Sequence, residues 1–455
     1  MDRSVAVEID ALRRRLLLGA GALAALSAAP TYAQALPGAL DAASMGVKPG
    51  DADQSRGLQR ALDRAARDGR PLALAPGLYR AAGLTLPDGT VLVGAPELTR
   101  IELVGSGPLM TAQGARRVSL RGVALDGANV PAGQEIGVLA ADDVQTLTLD
   151  EVAVTGAGGS AIVLNRVGGA VRQCRIEGAR HAGLFALDGR GLSVADCVVR
   201  NCRNNGVVIR RSIKGPDGSV VSRNRIEDIG ALDGGLGWNG NAVNVSKAAG
   251  VMVANNSIRR AAFSAVRAHE ADDAVITDNL CLDSGETGIY AEYGFSGAVI
   301  SANLVDGAAN GVSVVNFNEG GRLATVSANL VRNLFRRKNL DEPGEGYGGG
   351  IGVEADTAVT GNVVENAPEI GILAGFGPYL RDVTVSGNVV RACGVGIGVS
   401  VVEGVGAASV VGNTISGCRL GAVLGYRWRE VVTQDLTLAG GDRRSGLLVS
   451  QNAVR

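Results

Sequence analysis

The stretches VITDNLCL at 275–282 and VISANLVD at 299–306 repeat one phrase, and their asparagines, Asn279 and Asn303, lie 24 residues apart. In each, an apolar residue stands three positions before the Asn, and a small apolar residue stands two positions after it. A Gly-Ile/Val-x-Val-like segment follows about nine residues later. A period of this length fits one coil of three short strands, whose inward residues are buried only when coils stack. The phrase therefore predicts a parallel β-solenoid.

The Asn of this phrase recurs in register along most of the chain. It stands at Asn224, Asn256, Asn279, Asn303, Asn329, Asn362, Asn388, Asn413 and Asn452. Three earlier copies place Cys174, Cys197 and Glu151 at that position. We expect the Asn to adopt the left-handed backbone of a tight bend, and its amide to join a hydrogen-bonded ladder. The fold predicted is all-β, a single-stranded right-handed parallel β-helix of roughly 12–14 coils.

The start of the repeat region differs from the coils that follow. Apolar residues at helical spacing in 55–68, including Leu58 and Leu62, predict a helix that caps the open end of the solenoid. We expect an N-terminal cap over 36–80 and the β-helix over 81–455.

The first 35 residues have the features of an export signal. Arg13-Arg14-Arg15 precedes an apolar run from Leu16 to about Ala29, and Ala33-Gln34-Ala35 has the pattern of a cleavage site. Paired arginines before large apolar residues resemble the twin-arginine (Tat) signature. We expect a Tat signal peptide over 1–35, the Tat translocase as partner during export, a periplasmic location and no membrane span in the mature protein. An ordinary Sec signal or an uncleaved anchor is the alternative.

The Asn-bearing coils and the opening of the mature chain resemble the pectate-lyase-like superfamily over roughly 44–455. Together with the signal, they are similar to a family of Tat-exported β-helix repeat proteins of unassigned function. The superfamily contains lyases, hydrolases and epimerases of acidic polysaccharides as well as non-catalytic members, so the resemblance implies a glycan ligand and leaves the chemistry open.

The outward residues of successive coils form one ionisable stripe between about 210 and 293. The candidate catalytic residues are Lys247, Arg267, His269, Tyr290 and Glu292. The candidate substrate-binding residues are Arg210, Trp238, Asn244, Glu270, Tyr293, Asn316 and Tyr347. Trp238 and Tyr347 lie in glycine-rich insertions, where rings suit stacking on sugars. The alternative is that this stripe is an ordinary solvated surface.

These residue types suit cleavage of an acidic polysaccharide by β-elimination. Lys247 and Arg267 would act as base and carboxylate neutraliser, and His269 or Tyr290 as proton donor. Hydrolysis would instead require two carboxylates, and Glu270 and Glu292 are the candidates. The same carboxylates with Asp272 and Asp273 raise the option of Ca²⁺; no other cofactor is indicated.

The sequence leaves two functions open. One is a carbohydrate-active enzyme, most simply a polysaccharide lyase, with a hydrolase or epimerase less favoured. The other is a non-catalytic glycan-binding or cell-envelope scaffold protein. The motifs of polygalacturonases and alginate epimerases are absent. A formal net charge of −1 gives no reason to expect nucleic acid as a partner. The six cysteines are expected to be buried thiols, although Cys174 with Cys197 and Cys393 with Cys418 are near enough to consider as disulfides.

Overall fold

The computed structural model describes residues 38–50, 52–234, 237–337, 348–438 and 446–455. The chain winds through about 14 turns, and its strands pair in parallel with the equivalent strands of the coils before and after. The predicted right-handed parallel β-helix is confirmed. The signal segment, 1–35, and Tyr347 lie outside the described residues.

Three faces run along the solenoid, which we number 1 to 3 in the order the chain visits them. Face 1 is a 16-stranded sheet. Its strands are Leu40–Asp41, Leu72–Ala73, Val91–Val93, Arg117–Arg121, Thr146–Asp150, Gly169–Arg172, Ser193–Ala195, Val220–Ser222, Met252–Ala254, Ala274–Thr277, Ser296–Ser301, Arg322–Ser327, Thr357–Thr360, Val383–Ser386, Ala408–Val411 and Leu447–Ser450.

Face 2 follows the ladder position in each coil. Its strands are Gly77–Ala81, Thr99–Leu103, Ala124–Asp126, Ala153–Thr155, Arg175–Glu177, Val198–Arg200, Arg225–Ile229, Ser257–Ala261, Leu330–Arg332, Val363–Glu365, Val389–Arg391, Thr414–Ser416 and Ala453–Val454. Two long strands, Leu280–Glu292 and Leu304–Val315, continue from face 2 into face 3 and join both into one 28-stranded sheet.

Face 3 carries the candidate site. Its strands are Leu84–Thr85, Met110–Gln113, Gly137–Asp142, Ser160–Asn165, Ala182–Leu187, Asn205–Pro216, Asn241–Ala249, Val266–His269, Gly349–Val353, Ile370–Ala374, Val395–Ser400 and Gly421–Arg427, the last paired antiparallel with Glu430–Val431. The inward residues of all three faces, mostly Val, Ile, Leu and Ala, form one continuous core.

The predicted Asn ladder is present inside the bend between faces 1 and 2. The Oδ1 of Asn303 accepts hydrogen bonds from the backbone N–H and the side-chain Nδ2 of Asn279, both at 3.0 Å. The Nδ2 of Asn303 donates to Ile276 O at 2.9 Å and to Asn329 Oδ1 at 3.0 Å. The pattern repeats from Asn224 to Asn452, so the buried amides satisfy one another and the backbone at the bend.

Two details of the ladder prediction are wrong. The left-handed residue is the one before each ladder Asn, for example Asn255 (φ 58°) and Asp278 (φ 57°), and not the Asn itself. Glu151 is such a residue (φ 54°), so the ladder position of that coil is the buried Val152. An ionisable side chain has no partner inside this bend, whereas the outward position before it tolerates a carboxylate.

The N-terminal end is covered by a helix, which we call α1, spanning Ser55–Arg67. Its buried residues, Leu58, Ala61, Leu62 and Ala65, join the core of the first coils. A 3-10 helix, Ala42–Met45, precedes it. Among the described residues no helix is long and apolar enough to cross a membrane.

The six cysteines are free thiols, and all but the half-buried Cys418 are buried. Cys174 and Cys197 occupy neighbouring ladder positions, where the backbone N–H of Cys174 donates to the sulfur of Cys197 at 3.4 Å. Burial raises the pKa of both Cys202 and Cys281 to about 12, which makes these thiols poor nucleophiles at neutral pH.

Candidate functional site

The register of face 3 places the predicted site residues on adjacent coils. One outward column runs through Asn244, Arg267 and Tyr290, and a second through Ser246, His269 and Glu292. Because every second residue of a strand points outward, the two columns stand side by side on one surface. These side chains therefore lie along one stripe of the surface.

A third row lies at the bend where face 3 ends. Lys247, Glu270 and Tyr293 occupy equivalent positions on three successive coils and adopt left-handed backbones, with φ of 59°, 50° and 63°. This conformation is uncommon for residues with a side chain. It turns the chain sharply after each strand and sets these three side chains along the rim of the stripe.

Arg267, Glu292 and His269 form an ionic cluster below this rim. The Arg267 Nε and Nη2 atoms lie 2.7 and 2.6 Å from Glu292 Oε1. The His269 Nδ1 atom lies 2.8 Å from the same oxygen, and its Nε2 atom lies 2.9 Å from Glu270 Oε1. Glu292 is only 1% exposed, so Arg267 and the imidazole take the place of water around its carboxylate.

Tyr290 lies beside this cluster, with the Arg267 guanidinium 5.1 Å from its ring centroid. Burial raises the pKa of Tyr290 far above its usual value, and the nearby Glu292 carboxylate raises it further. The phenol therefore stays protonated at neutral pH. This state is compatible with the predicted role of proton donor.

Three aromatic rings form a row that shares His269 with the ionic cluster. We call this row, Trp238, His269 and Tyr293, the aromatic platform. The ring centroids of Trp238 and His269 are 5.3 Å apart, and those of His269 and Tyr293 are 5.0 Å apart. The Arg210 guanidinium lies 5.1 Å from the Trp238 ring. Trp238 and Tyr293 remain 47% and 42% exposed, so the platform presents ring surface to solvent.

The insertion that carries Trp238 is tied down at its base. The Trp238 carbonyl accepts hydrogen bonds from the side-chain amides of Asn205 and Asn244, at 3.0 and 3.1 Å. Gly237, at φ 87°, lies directly against the Arg267 guanidinium, where any Cβ would overlap it. These anchors fix the indole over the cluster and cover Arg267.

A second anchor holds the same insertion at its other end. The Asn204 side chain donates to Asp233 at 2.7 Å, and His181 Nδ1 lies 3.2 Å from the same carboxylate. His181 thus supports the insertion and does not reach the aromatic platform. Sequence reasoning missed Asn204, Asn205 and Gly237, although the Asn204-Asn205-Gly206 run just before a strand was a local signal of a special bend.

Several predicted residues are placed where they do not face a ligand. Asn244 is 3% exposed and holds the Trp238 carbonyl. Asn316 is 1% exposed, with its amide bonded on both sides to the backbone of Ala355. Both side chains support the site's framework. The Lys247 side chain is half-buried and makes no hydrogen bond or ion pair with any described residue.

Ser246 was not predicted. It lies between Arg210 and His269 in the outward column and is 1% exposed. Its Oγ has no hydrogen-bond partner among the residues that the structure describes. A buried hydroxyl without a partner is unusual, and at 1% exposure it lies beneath the surface that a ligand would contact.

The acidic residues considered for Ca²⁺ do not converge. Asp272 accepts from the Ser296 backbone at 2.6 Å and pairs with Lys214 at 2.8 Å, while Glu270 is engaged by His269. Within the described ranges, no group of three or more His, Cys, Asp or Glu side chains could hold a metal ion. Calcium binding at this stripe stays a prediction.

Comparison with known proteins agrees with this architecture. The family model described as "Right handed beta helix region" matches residues 160–331, the coils that carry the aromatic platform. The chain is a right-handed β-helix protein. Among curated protein sequences there is no match.

Solved structures similar to this β-helix include a tailspike protein and a bacteriophage gene product. The Dettilon tailspike protein (gp208) shares 14% identity at a TM-score of 0.52, over 77% of this chain and 66% of its own. The N-terminal fragment of the bacteriophage Phi29 gene product 12 shares 15% identity at a TM-score of 0.50, over 91% of this chain and 72% of its own. At these identities the likeness establishes the fold, and this chain spans slightly less than two thirds of the tailspike.

Proposed function

We propose that this β-helix protein binds an acidic polysaccharide along face 3, with the aromatic platform as the centre of the site. The observation that carries the proposal is the row of Arg210, Trp238, His269 and Tyr293, which crosses adjacent coils and exposes the rings of Trp238 and Tyr293. Exposed rings held rigidly in a row suit the apolar faces of successive sugars. A solenoid face also offers a long, regular surface for a polymer.

The charges at the site favour an acidic glycan. Arg210 is exposed, and Lys247 has no carboxylate partner in the described part of the chain. Arg267, by contrast, is committed to Glu292. We therefore assign recognition of sugar carboxylates to Arg210 and Lys247, and give Arg267 the role of holding Glu292 and His269 in place.

A lyase activity is a second proposal, favoured by the environment of His269. Its Nδ1 atom is fixed by Glu292, and its Nε2 atom points towards the rim at Glu270. In β-elimination, Lys247 would act as a neutral amine and remove the proton from the sugar C5, and Arg210 alone would hold the carboxylate. The bond from C4 to the glycosidic oxygen would break as the C4–C5 double bond forms, and His269 would donate a proton to the departing oxygen.

Hydrolysis is less well supported by this arrangement. A hydrolase needs two carboxylates that face the scissile bond from opposite sides. Glu292 is buried, and its Oε1 atom already accepts from Arg267 and His269. Glu270 would then act without a carboxylate partner.

The test is a binding and turnover panel on the purified protein. Polygalacturonate, alginate and hyaluronan serve as acidic polymers and dextran as the neutral control. We expect binding to at least one acidic polymer, and we expect Arg210→Ala and Trp238→Ala each to weaken it. Ultraviolet absorbance of an unsaturated product, abolished by His269→Ala, would establish the lyase. Binding without product would leave a glycan-binding protein, and preference for dextran would overturn the acidic assignment.

We also propose export to the periplasm by the Tat route. The support is the Arg13-Arg14-Arg15 run, the apolar segment and the cleavage pattern ending at Ala35. Fusing residues 1–35 to a reporter that is active only after folded export tests this. Export that is lost with Arg13, Arg14 and Arg15 all changed to Lys, and lost in cells lacking the Tat translocase, is the expected result. Export that persists without the translocase would indicate a Sec signal.

A further inference from the structure

A second aromatic surface lies on face 3 near the C-terminal end of the solenoid, in a cavity of about 620 Å³. Trp428 contacts Phe376 at 5.3 Å and Tyr379 at 6.3 Å between ring centroids, with both neighbours nearly perpendicular to it. Gly377, at φ 56°, lies against the edge of the indole, where a Cβ would overlap it. Trp428 is nevertheless 48% exposed. The ring is thus rigidly held while part of its surface faces solvent.

The floor of this cavity is low because the outward residues are small. Ser313 and Gly352 follow Tyr290 in the same outward column, and a Cβ at Gly352 would point into open space. Leu373 continues the column in the next coil. The result is a shallow groove that begins beside Tyr290 and continues along the axis of the solenoid.

Aromatic contacts also continue along the rim. Phe317 lies two residues after the strand Leu304–Val315, which pairs with the strand that carries Tyr290. The ring centroids of Phe317 and Tyr379 are 5.8 Å apart. Tyr379 in turn contacts Trp428. Ring surface is therefore present at both ends of the groove and along one of its edges.

The charges of this second surface differ from those of the first. Glu369, which lines the cavity, pairs with Arg336 at 2.5 Å, and Arg381 beside Phe317 pairs with Asp356 at 2.7 Å. These ion pairs neutralise their own members. Arg429 also lines the cavity, with its guanidinium 6.0 Å from the Phe376 ring centroid, so the surface offers a cation beside ring faces for stacking with sugars.

We propose that this groove is a second binding segment for the same polysaccharide chain that occupies the aromatic platform. The inference rests on the proposed function. Six coil steps separate His269 from Tyr426, which lies two residues before Trp428, or roughly 29 Å at about 4.8 Å per coil. A sugar unit is about as long as one coil step, so a chain of roughly six units or more reaches both surfaces. Short oligosaccharides occupy one surface only.

The composition supplies a direct test, because the chain has only two tryptophans, one at each surface. Trp428→Phe leaves Trp238 as the only indole reporter, and Trp238→Phe leaves Trp428. Each variant is titrated with size-fractionated oligomers of polygalacturonate and of alginate while its emission is followed. We expect Trp238 to respond to short oligomers and Trp428 to respond only when the oligomer is long enough to span the groove. We also expect long oligomers to bind at least about tenfold more tightly than short ones.

The outcomes separate this inference from the proposed function. If Trp238 responds and Trp428 does not respond at any length, the second segment is wrong and the first site stands. If both respond and affinity does not rise with length, the surfaces are independent and the spanning chain is wrong. If Trp428 alone responds, or neither responds, the aromatic platform is not the glycan site. A further test is Trp428→Ala. If the proposal holds, this variant binds long oligomers about tenfold more weakly and binds short ones unchanged. An equal loss of affinity for both lengths would contradict the proposal.

Discussion

The Asn ladder and the ionic cluster are both buried and polar, but they are built in different ways. Each ladder Asn is neutral, and its amide is bonded to the next Asn and to the backbone of the preceding coil. The ionic cluster is charged and occurs once, with Glu292 held by Arg267 and His269. A repeated neutral arrangement stabilises every coil alike, whereas a unique buried charge pair carries a desolvation cost. The difference suggests that the ladder serves the fold and the cluster serves a function.

Removing one middle rung of the ladder should have the largest effect on stability. Asn303→Ala leaves the Asn279 backbone N–H, the Asn279 amide and the Ile276 carbonyl without their partners inside the bend. We expect the free energy of unfolding to fall by about 4 kcal/mol, measured by urea titration. The control is Asn452→Ala at the half-buried last rung, which should cost about 1 kcal/mol. Equal costs at both positions would mean that the ladder does not act through burial.

Breaking the ionic cluster should reduce the free energy of unfolding by a smaller amount. A second substitution should restore most of that stability. Glu292→Leu leaves the Arg267 guanidinium buried without its carboxylate, and we expect a loss of about 3 kcal/mol in urea titration. The double variant Arg267→Met/Glu292→Leu should recover most of that stability, because no charge remains buried. It should still lose glycan binding, since His269 is no longer held. Retained binding in the double variant would remove the cluster from the proposed site.

The aromatic platform should affect binding and leave stability nearly unchanged. Trp238→Ala removes an indole that is 47% exposed, so unfolding should change by less than about 0.5 kcal/mol. Binding of an acidic polymer should weaken about tenfold, measured by calorimetric titration. Leu98→Ala, which removes an exposed apolar side chain elsewhere on the surface, is the matched control and should alter neither quantity. A stability loss as large as that of Asn303→Ala would show that Trp238 is structural.

The smallest effect should come from the outer ion pairs between neighbouring coils. Hydrogen bonds from Arg223, Arg260 and Arg381 hold the pKa values of Asp196, Asp228 and Asp356 below their usual range. Lowered folded-state pKa values give stability that is present above the unfolded value of 3.8 and is lost as pH falls through the folded values. The neutral ladder amides do not titrate, so they contribute nothing to this loss.

Urea titrations at about pH 5 and about pH 3 measure this loss. It should be smaller in a variant with Arg223, Arg260 and Arg381 all changed to Gln, because its carboxylates lack the partner that favours ionisation. The effect stays modest since the three arginines are more than 40% exposed. An unchanged loss in that variant would place the acid sensitivity elsewhere.

The sequence was most informative where a single local rule applies to every coil. The Asn spacing predicted the coil period, the ladder and the outward register of Arg267, His269 and Glu292, because a strand alternates its faces whatever surrounds it. It was wrong on Glu151 because the bend contains two adjacent special positions, one outward and left-handed and one inward. The repeat spacing alone could not tell which of these two adjacent positions Glu151 occupies.

Tertiary structure decided which members of the stripe are committed to one another and which face solvent. Periodicity assigns Arg267 and Arg210 the same outward direction, yet the Trp238 insertion covers Arg267 and leaves Arg210 exposed. Trp428 is likewise far from the stripe in sequence, so the sequence did not predict that it lines a groove on the same face. The repeat determines the fold because its contacts are between equivalent positions of neighbouring coils. The site depends on insertions that fold back across those coils, and their placement is not periodic.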